Sequence, residues 1–204
     1  MTPTLNLRAI GTFYFSQITE VPMRITGGQW KGRRPKIAKG FQGRPTTDFG
    51  REGLFNLLNS RVDLEGLTVL DLFAGTGMVA LEFLSRGSEA VTSVEQNPGA
   101  VRGIATLIRD WEIEGWQVIR ADAVQFIRKS LTQYDLVFAD PPYDLPHLDA
   151  LPEAVLKGTL LVPGGWFILE HGERTDVSRK THYVETRKYG HVHFSLFHLP
   201  SLNP

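Results

Sequence analysis

Thr68-Val-Leu-Asp-Leu-Phe-Ala-Gly-Thr-Gly77 is the stretch on which the fold turns. Its first six residues form a short, nearly continuous apolar run, the pattern of a strand buried on both faces. A glycine-bearing turn follows, and residues 78–86 then read as a helix that stops at Gly87. Strand, glycine turn and helix in that order open a nucleotide- or nucleoside-binding unit.

The alternation continues on both sides. Ala90-Val-Thr-Ser-Val-Glu95 is a second strand, and Asn97-Pro98 starts the next helix with a capping residue followed by proline. Residues 117–122, 135–140 and 165–170 read as three more strands, separated by helical stretches near 123–131 and 147–157. Upstream, Thr47 or Asp48 can cap a helix carrying Leu54, Phe55, Leu57 and Leu58. Residues 182–199 hold two β-rich runs around Tyr189-Gly190 and predict a C-terminal hairpin. Buried strands separated by helices predict an α/β fold with a doubly wound, mostly parallel sheet. Ligands in such sheets bind outside the carboxyl ends of the strands, where strand order reverses.

The 204 residues suffice for one sizeable core, and 42% hydrophobic with 22% charged residues is ordinary globular composition. No apolar run approaches the roughly 20 residues of a membrane span. The chain has no cysteine, which excludes disulfides, thiolate metal sites and a cysteine nucleophile. Its 22 basic and 22 acidic residues cancel but are unevenly placed. Residues 23–47 hold Arg24, Lys31, Arg33, Arg34, Lys36, Lys39 and Arg44 and no acid, so the remaining 15 basic residues face all 22 acidic ones. A basic segment on an acidic body reads as an anion-binding arm, with nucleic acid phosphates as its partner. Arg24, Lys31, Arg33, Arg34, Lys36 and Arg44 are its candidate RNA contacts. Trp30 and Phe41 within it either stack on bases or pin the arm to the core. Residues 1–22 read as a poorly ordered extension without the basic start and long apolar run of a secretory signal. The predicted organisation is therefore an extension (1–22), a basic arm (23–47) and one α/β domain (48–204).

At the cofactor turn, Gly75 and Gly77 let a ligand approach the backbone. A pyrophosphate would be repelled by a carboxylate such as Asp71 at the lip of the turn. The usual third glycine position of a dinucleotide site is occupied by Ala80. S-adenosylmethionine carries a sulfonium and an ammonium, and both favour a nearby carboxylate. Glu95, 18 residues past Gly77, ends the second strand and can accept from two ribose hydroxyls. Asp122, read as ending the third strand, can face an adenine amino group beside Ala123, or simply cap a helix. Three acids at successive strand ends favour a nucleoside ligand, with NAD the weaker alternative.

Asp140-Pro-Pro-Tyr143 follows the fourth strand. Prolines fix φ and leave rigid carbonyl acceptors, so Asp140 and the Pro141 carbonyl can together accept both hydrogens of an exocyclic amine. Such an amine is a poor nucleophile, and holding it towards an electrophilic methyl is most of the catalysis. Tyr143 supplies a ring to stack on a base that has left its helix. His191 and His193 share one strand face and His198 the other, so no metal site is predicted. Glu170-His171 ends a strand close enough to border the substrate. Trp111, Trp116 and Trp166 read as packing residues.

Met23-Arg-Ile-Thr-Gly-Gly-Gln-Trp-Lys-Gly-Arg33, Arg44-Pro-Thr-Thr-Asp48, Arg51-Glu-Gly-Leu-Phe-Asn56, the glycine turn and Asp140-Pro-Pro-Tyr143 occur in that order. From about residue 23 to its end, the chain resembles the RsmD-like family of 16S rRNA guanine-N2 methyltransferases. The resemblance implies a seven-stranded, Rossmann-like methyltransferase sheet, S-adenosylmethionine as methyl donor and 16S rRNA as partner, free or in a small-subunit assembly particle. It assigns Asp71, Phe73, Ala74, Gly75, Gly77, Glu95 and Gln96 to the cofactor, and Asp122 and Ala123 to its adenine. Asp140, Pro141 and Tyr143 fall to the guanine amine, and the Arg-Pro-Thr segment closes over the active site. A cytoplasmic monomer without metal or membrane is expected. Phe49-Gly50 and Tyr143 depart from the residues usual in the family. Two other readings stay open: an adenine-N6 methyltransferase of RNA or DNA, which shares the tetrapeptide, and a catalytically silent RNA-binding module.

Overall fold

The computed structural model describes residues 23–36 and 47–201. The extension 1–22 and Arg44, with the rest of the Arg-Pro-Thr segment, lie outside them. Seven strands form one sheet: β1 (Thr68–Leu72), β2 (Ala90–Glu95), β3 (Trp116–Arg120), β4 (Tyr134–Ala139), β5 (Leu161–His171), β6 (Tyr183–Tyr189) and β7 (Val192–His198). Their order is β3-β2-β1-β4-β5-β7-β6. The first five are parallel, while β7 runs antiparallel to both its neighbours and closes the predicted hairpin. Strand order reverses between β1 and β4, which fixes the ligand crevice at their carboxyl ends.

Alternate residues of the inner strands feed two cores. Val69, Leu136, Phe138 and Ile168 join a core with α1 (Asp48–Asn59), α2 (Met78–Ser85) and α3 (Pro98–Asp110). Leu70, Leu72, Val137 and Phe167 join the opposite core with α4 (Ala123–Lys129) and α5 (Leu151–Leu156). Burial on both faces explains the continuous apolar runs. Local chemistry sets the helix starts. The Thr47 side chain accepts from the Gly50 N–H (3.1 Å), and Asn97 accepts from Gly99 and Ala100, with Pro98 opening α3. Helix α2 ends where Gly87 takes φ +97°, a conformation that glycine tolerates.

Three boundaries differ from the sequence reading. Strand β3 ends at Arg120, so Asp122 lies beyond it as the N-cap of α4. Strand β5 begins at Leu161, because Pro163 is accommodated next to a register shift against β4. His191 sits in the hairpin turn before β7, and so does not share a strand face with His193.

Candidate active site

The turn after β1 is shaped by unusual backbone. Phe73 has φ +63°, an uncommon conformation for a residue with a side chain, and Gly75 and Gly77 have φ +55° and +75°. The Ala74 N–H donates to Val94 (3.0 Å) and the Gly77 N–H to Ala74 (2.8 Å), so the loop folds back over the end of β2. A Cβ on Gly77 would lie 2.8 Å from the Trp116 ring and 2.9 Å from Ile104. Glycine at 77 therefore serves packing beneath the turn, a different reason from the ligand approach read from sequence.

Glu95 ties the turn to the start of α3. Its Oε2 accepts from the Gly75 N–H (2.9 Å) and its Oε1 from the Asn97 N–H (2.7 Å). A carboxylate has about four acceptor positions, so two hydroxyl donors can still be received. Gln96 is exposed beside it. Asp122 caps α4 by accepting from the Gln125 N–H (2.8 Å); it is exposed, and Ala123 is buried behind it.

Asp71 is not at the lip of the turn, as the sequence reading has it. It is the penultimate residue of β1 and 1% exposed, because strand alternation turns its side chain inward beneath α2. Its polar neighbours are the Ser93 hydroxyl and the Ala80 N–H, which favour the ionised form. Its Oδ2 has no hydrogen-bond partner among the described residues. Burial first, then the charges of Asp140 and Glu95, hold its carboxyl well above the usual range. Three carboxylates thus converge on the reversal point of the sheet.

Asp140 is half-buried, and its N–H reaches the Leu72 carbonyl (3.4 Å), which joins the end of β4 to the end of β1. Pro141 is buried and Pro142 exposed. The Tyr143 hydroxyl donates to Glu170 (3.3 Å), while its ring lies where a Cβ on Gly172 would meet it at 3.0 Å. Tyr143 as a whole is 51% exposed. Burial, Glu170 and Asp140 push the phenol further up, so it stays a neutral donor.

The sequence reading missed what supports this ring. His171 is buried, with Nε2 2.7 Å from Ser195 Oγ and Nδ1 2.9 Å from the Gly172 carbonyl. The carbonyl only accepts, so Nδ1 carries the proton and Ser195 donates to Nε2. Thr186 then donates to Ser195 (2.7 Å), and the Tyr183 hydroxyl to Thr186 (2.9 Å). One directional chain thereby fixes Gly172 under the tyrosine. Burial holds the His171 pKa below its ordinary value, in keeping with a neutral ring. The alternation of His193 and Ser195 with apolar residues on β7 was its one trace in the sequence.

The described arm follows the opposite course. Arg24 pairs with Glu52 (3.1 Å) and Asp48 (3.4 Å) at the start of α1. From there the chain descends: Gln29 and Trp30 bond to Ser85 at the end of α2, and Trp30 packs edge-on against Trp111 after α3. Trp30 therefore pins the arm, and Arg33 lies 3.7 Å over the Trp111 ring. Lys31 and Arg33 are exposed there, at the amino ends of the strands, and Arg34 and Lys36 are exposed beyond the point where the Arg33 carbonyl accepts from the Ile25 N–H (2.9 Å). They are not brought together with the acid cluster.

Comparison with known proteins gives the same architecture. The family model described as Conserved hypothetical protein 95 matches residues 23–198. Ribosomal RNA small subunit methyltransferase D of Escherichia coli K12 is 34% identical over 145 residues, which span 71% of this chain and 69% of that one. A hypothetical protein of Thermus thermophilus superposes with a TM-score of 0.74 at 29% identity, covering 86% of this chain and 98% of that one. The Thermus thermophilus 16S rRNA N2 methyltransferase RsmC, solved with AdoMet and guanosine, shares the fold (TM-score 0.65, 19% identity, 87% of this chain and 49% of that one). The chain belongs to the Conserved hypothetical protein 95 family, the RsmD-like methyltransferases.

Proposed function

We propose that this protein methylates the exocyclic N2 amine of a guanine in small-subunit ribosomal RNA. Membership of the family makes it an rRNA methyltransferase, and S-adenosylmethionine is its methyl donor. One observation carries the finer reading: Asp140-Pro-Pro-Tyr143 opens onto the reversal point of the sheet, beside a buried carboxylate with an unpartnered oxygen.

The residues fit the donor. A buried Asp71 with one unpartnered oxygen, close to two further acids, suits a ligand bearing a sulfonium and an ammonium and repels a pyrophosphate, which disfavours NAD. Asp71 and the turn 73–77 would hold the methionine part, Glu95 the ribose, and Asp122 with Ala123 the adenine. When bound, the cofactor supplies an electrophilic methyl. The chain's own residues prepare the acceptor. The Asp140 carboxylate and the Pro141 carbonyl each accept one amine hydrogen, which orients the nitrogen lone pair outward. Asp140 also steadies the positive charge that grows on nitrogen. Tyr143, braced by Glu170 and Gly172, presents its open face to the base.

The basic arm reaches RNA at a second place. Helix α2 is 8 residues long and separates the glycine turn from the arm at Trp30 and Lys31 by roughly 12 Å. Phosphates at the arm and a guanine at the rim require RNA that covers one side of the domain, which suits a folded rRNA region better than a short strand. The test is direct. The protein is incubated with tritium-labelled S-adenosylmethionine and either 16S rRNA or small-subunit particles, and the digested nucleosides are identified. Label in N2-methylguanosine is expected; label in N6-methyladenosine, or in no nucleoside, would overturn the reading.

A further inference from the structure

Among the described residues only two of the Phe, Tyr and Trp rings are exposed, Tyr143 at 51% and Phe49 at 65%. Both lie on the carboxyl-end rim. Tyr143 sits over Gly172, directly after β5. Phe49 is in the first turn of α1, edge-on to Tyr189 with ring centroids 6.2 Å apart. Tyr189 ends β6 at the tip of the hairpin. The ladder links the two positions: His171 pairs with His193, and His193 with Lys188. Two strand spacings, roughly 10 Å, therefore separate the β5 end from the β6 end.

The mount of Phe49 is rigid. A Cβ on Gly53 would lie 2.5 Å from the Tyr189 ring, so Tyr189 occupies a notch that glycine leaves in α1. Its other neighbour is Phe194, 5.9 Å away. Asp48 and Glu52, the acids near Phe49, are engaged by Arg51 and Arg24. The hairpin exposes Lys188 and His191 near its tip, whereas Arg187 is paired with Glu185 (2.6 Å) and His193 is buried. A fixed, solvent-facing ring beside a basic tip matches the pairing of stacking surface and cationic track that binds single-stranded nucleic acid.

We propose that Phe49, mounted on Tyr189, is a second stacking platform that takes a base of the RNA strand a few nucleotides from the target, with Lys188 and His191 facing the intervening phosphates. The proposal rests on the reading of the rim as an RNA methylation site and adds a determinant of which RNA is accepted. Stacking needs a π face, so Phe49→Ala and Phe49→Leu both lose it, whereas Phe49→Trp keeps it.

The variants are compared by filter binding to a full-length 16S rRNA transcript across a salt series, with thermal melting and S-adenosylmethionine calorimetry as controls. Ala and Leu should weaken RNA binding about 5- to 100-fold, and Trp should bind as wild type or tighter. The slope against salt should not change, because no cation is removed. Melting and cofactor affinity should stay as in wild type. RNA affinity unaltered in Phe49→Ala, or restored by Phe49→Leu, would overturn the proposal, the latter by pointing to an apolar partner. The nucleoside made by the wild-type protein is scored separately. A wild type that yields no N2-methylguanosine, while its RNA binding still depends on Phe49, would sink the proposed function and leave the platform standing.

Discussion

Asp71 and Glu82 are both buried carboxylates touched by α2, yet their surroundings are opposite. Glu82, fully buried, receives the Thr26 N–H (2.8 Å) and hydroxyl (3.0 Å), the Arg51 guanidinium (3.4 Å) and that of Arg86. Arg51 in turn donates to Asp48 (2.6 Å) and the Arg24 carbonyl (2.8 Å). Asp71 has no ion pair among the described residues, one oxygen without a partner there, and two further acids nearby. Buried charge is costly unless it is paired. A carboxylate whose cations belong to the protein is architecture, here the clamp that fastens the arm and α1 to α2. One without a cation of its own is what the proposed cationic ligand would balance.

Breaking the clamp should have the largest effect. Glu82→Ala leaves two guanidiniums facing each other in a dry interior and should destabilise the fold by about 3–5 kcal/mol. A urea melt reads this directly. Loss of a few tenths only would mean that the network is solvated and the contrast with Asp71 is false.

Removing charge at the acceptor should cost rate rather than stability. Asp140→Asn keeps the shape but replaces a charged acceptor with an amide that can present a donor to the amine. Single-turnover methylation of rRNA should fall about 10²–10³-fold, near 3–4 kcal/mol. Cofactor affinity should change by less than about 1 kcal/mol. Near wild-type turnover would mean that another group holds the amine.

The fold was legible because its strands are buried on both faces and its helix starts carry their own caps. Asp71, Glu95 and Asp140 could be singled out for a related reason: each acid follows or interrupts an apolar run, where a carboxylate is costly unless something engages it. The clamp was not legible. Thr26, Arg51, Glu82 and Arg86 come from three separate segments, and each alone passes for an ordinary solvated side chain. The support beneath Tyr143 was hidden likewise, since its hydrogen bonds depend on the register of β5 against β7. Gly77 could be marked as special, but not that Trp116 is the cause.

Glu95 shares features of both regions, and its loss sharpens the comparison. It is a half-buried acid in the unbalanced cluster, yet it already holds the Gly75 and Asn97 N–H groups. Glu95→Ala should weaken S-adenosylmethionine by about 1.5–3 kcal/mol, the worth of charge-assisted hydrogen bonds. Glu95→Gln, which keeps one acceptor for the turn, should recover part of that. Calorimetry showing unaltered affinity in a folded Glu95→Ala protein would remove this residue from the site.

The smallest effect, and the most diagnostic, belongs to Asp71→Asn. Burial, Asp140 and Glu95 raise the Asp71 carboxyl above its unfolded value near 3.9. The folded protein therefore keeps a proton that the unfolded chain has released, and stability of the cofactor-free protein falls as pH rises from about 4 through the raised pKa. The amide has no such titration. Asp71→Asn should flatten that slope and stabilise the cofactor-free protein at neutral pH, on the order of 0.5–2 kcal/mol, as single optimised sites do. It should also weaken S-adenosylmethionine, because a neutral amide does not balance a cation. In the wild type a cationic ligand favours the ionised carboxyl, so cofactor affinity should rise with pH, and this dependence should shrink in the variant. Melting curves and calorimetry between pH 5 and 8 read all three. A variant that melts lower than wild type at neutral pH and binds the cofactor as tightly would show that Asp71, like Glu82, is structural, and the distinction between the two acids would collapse.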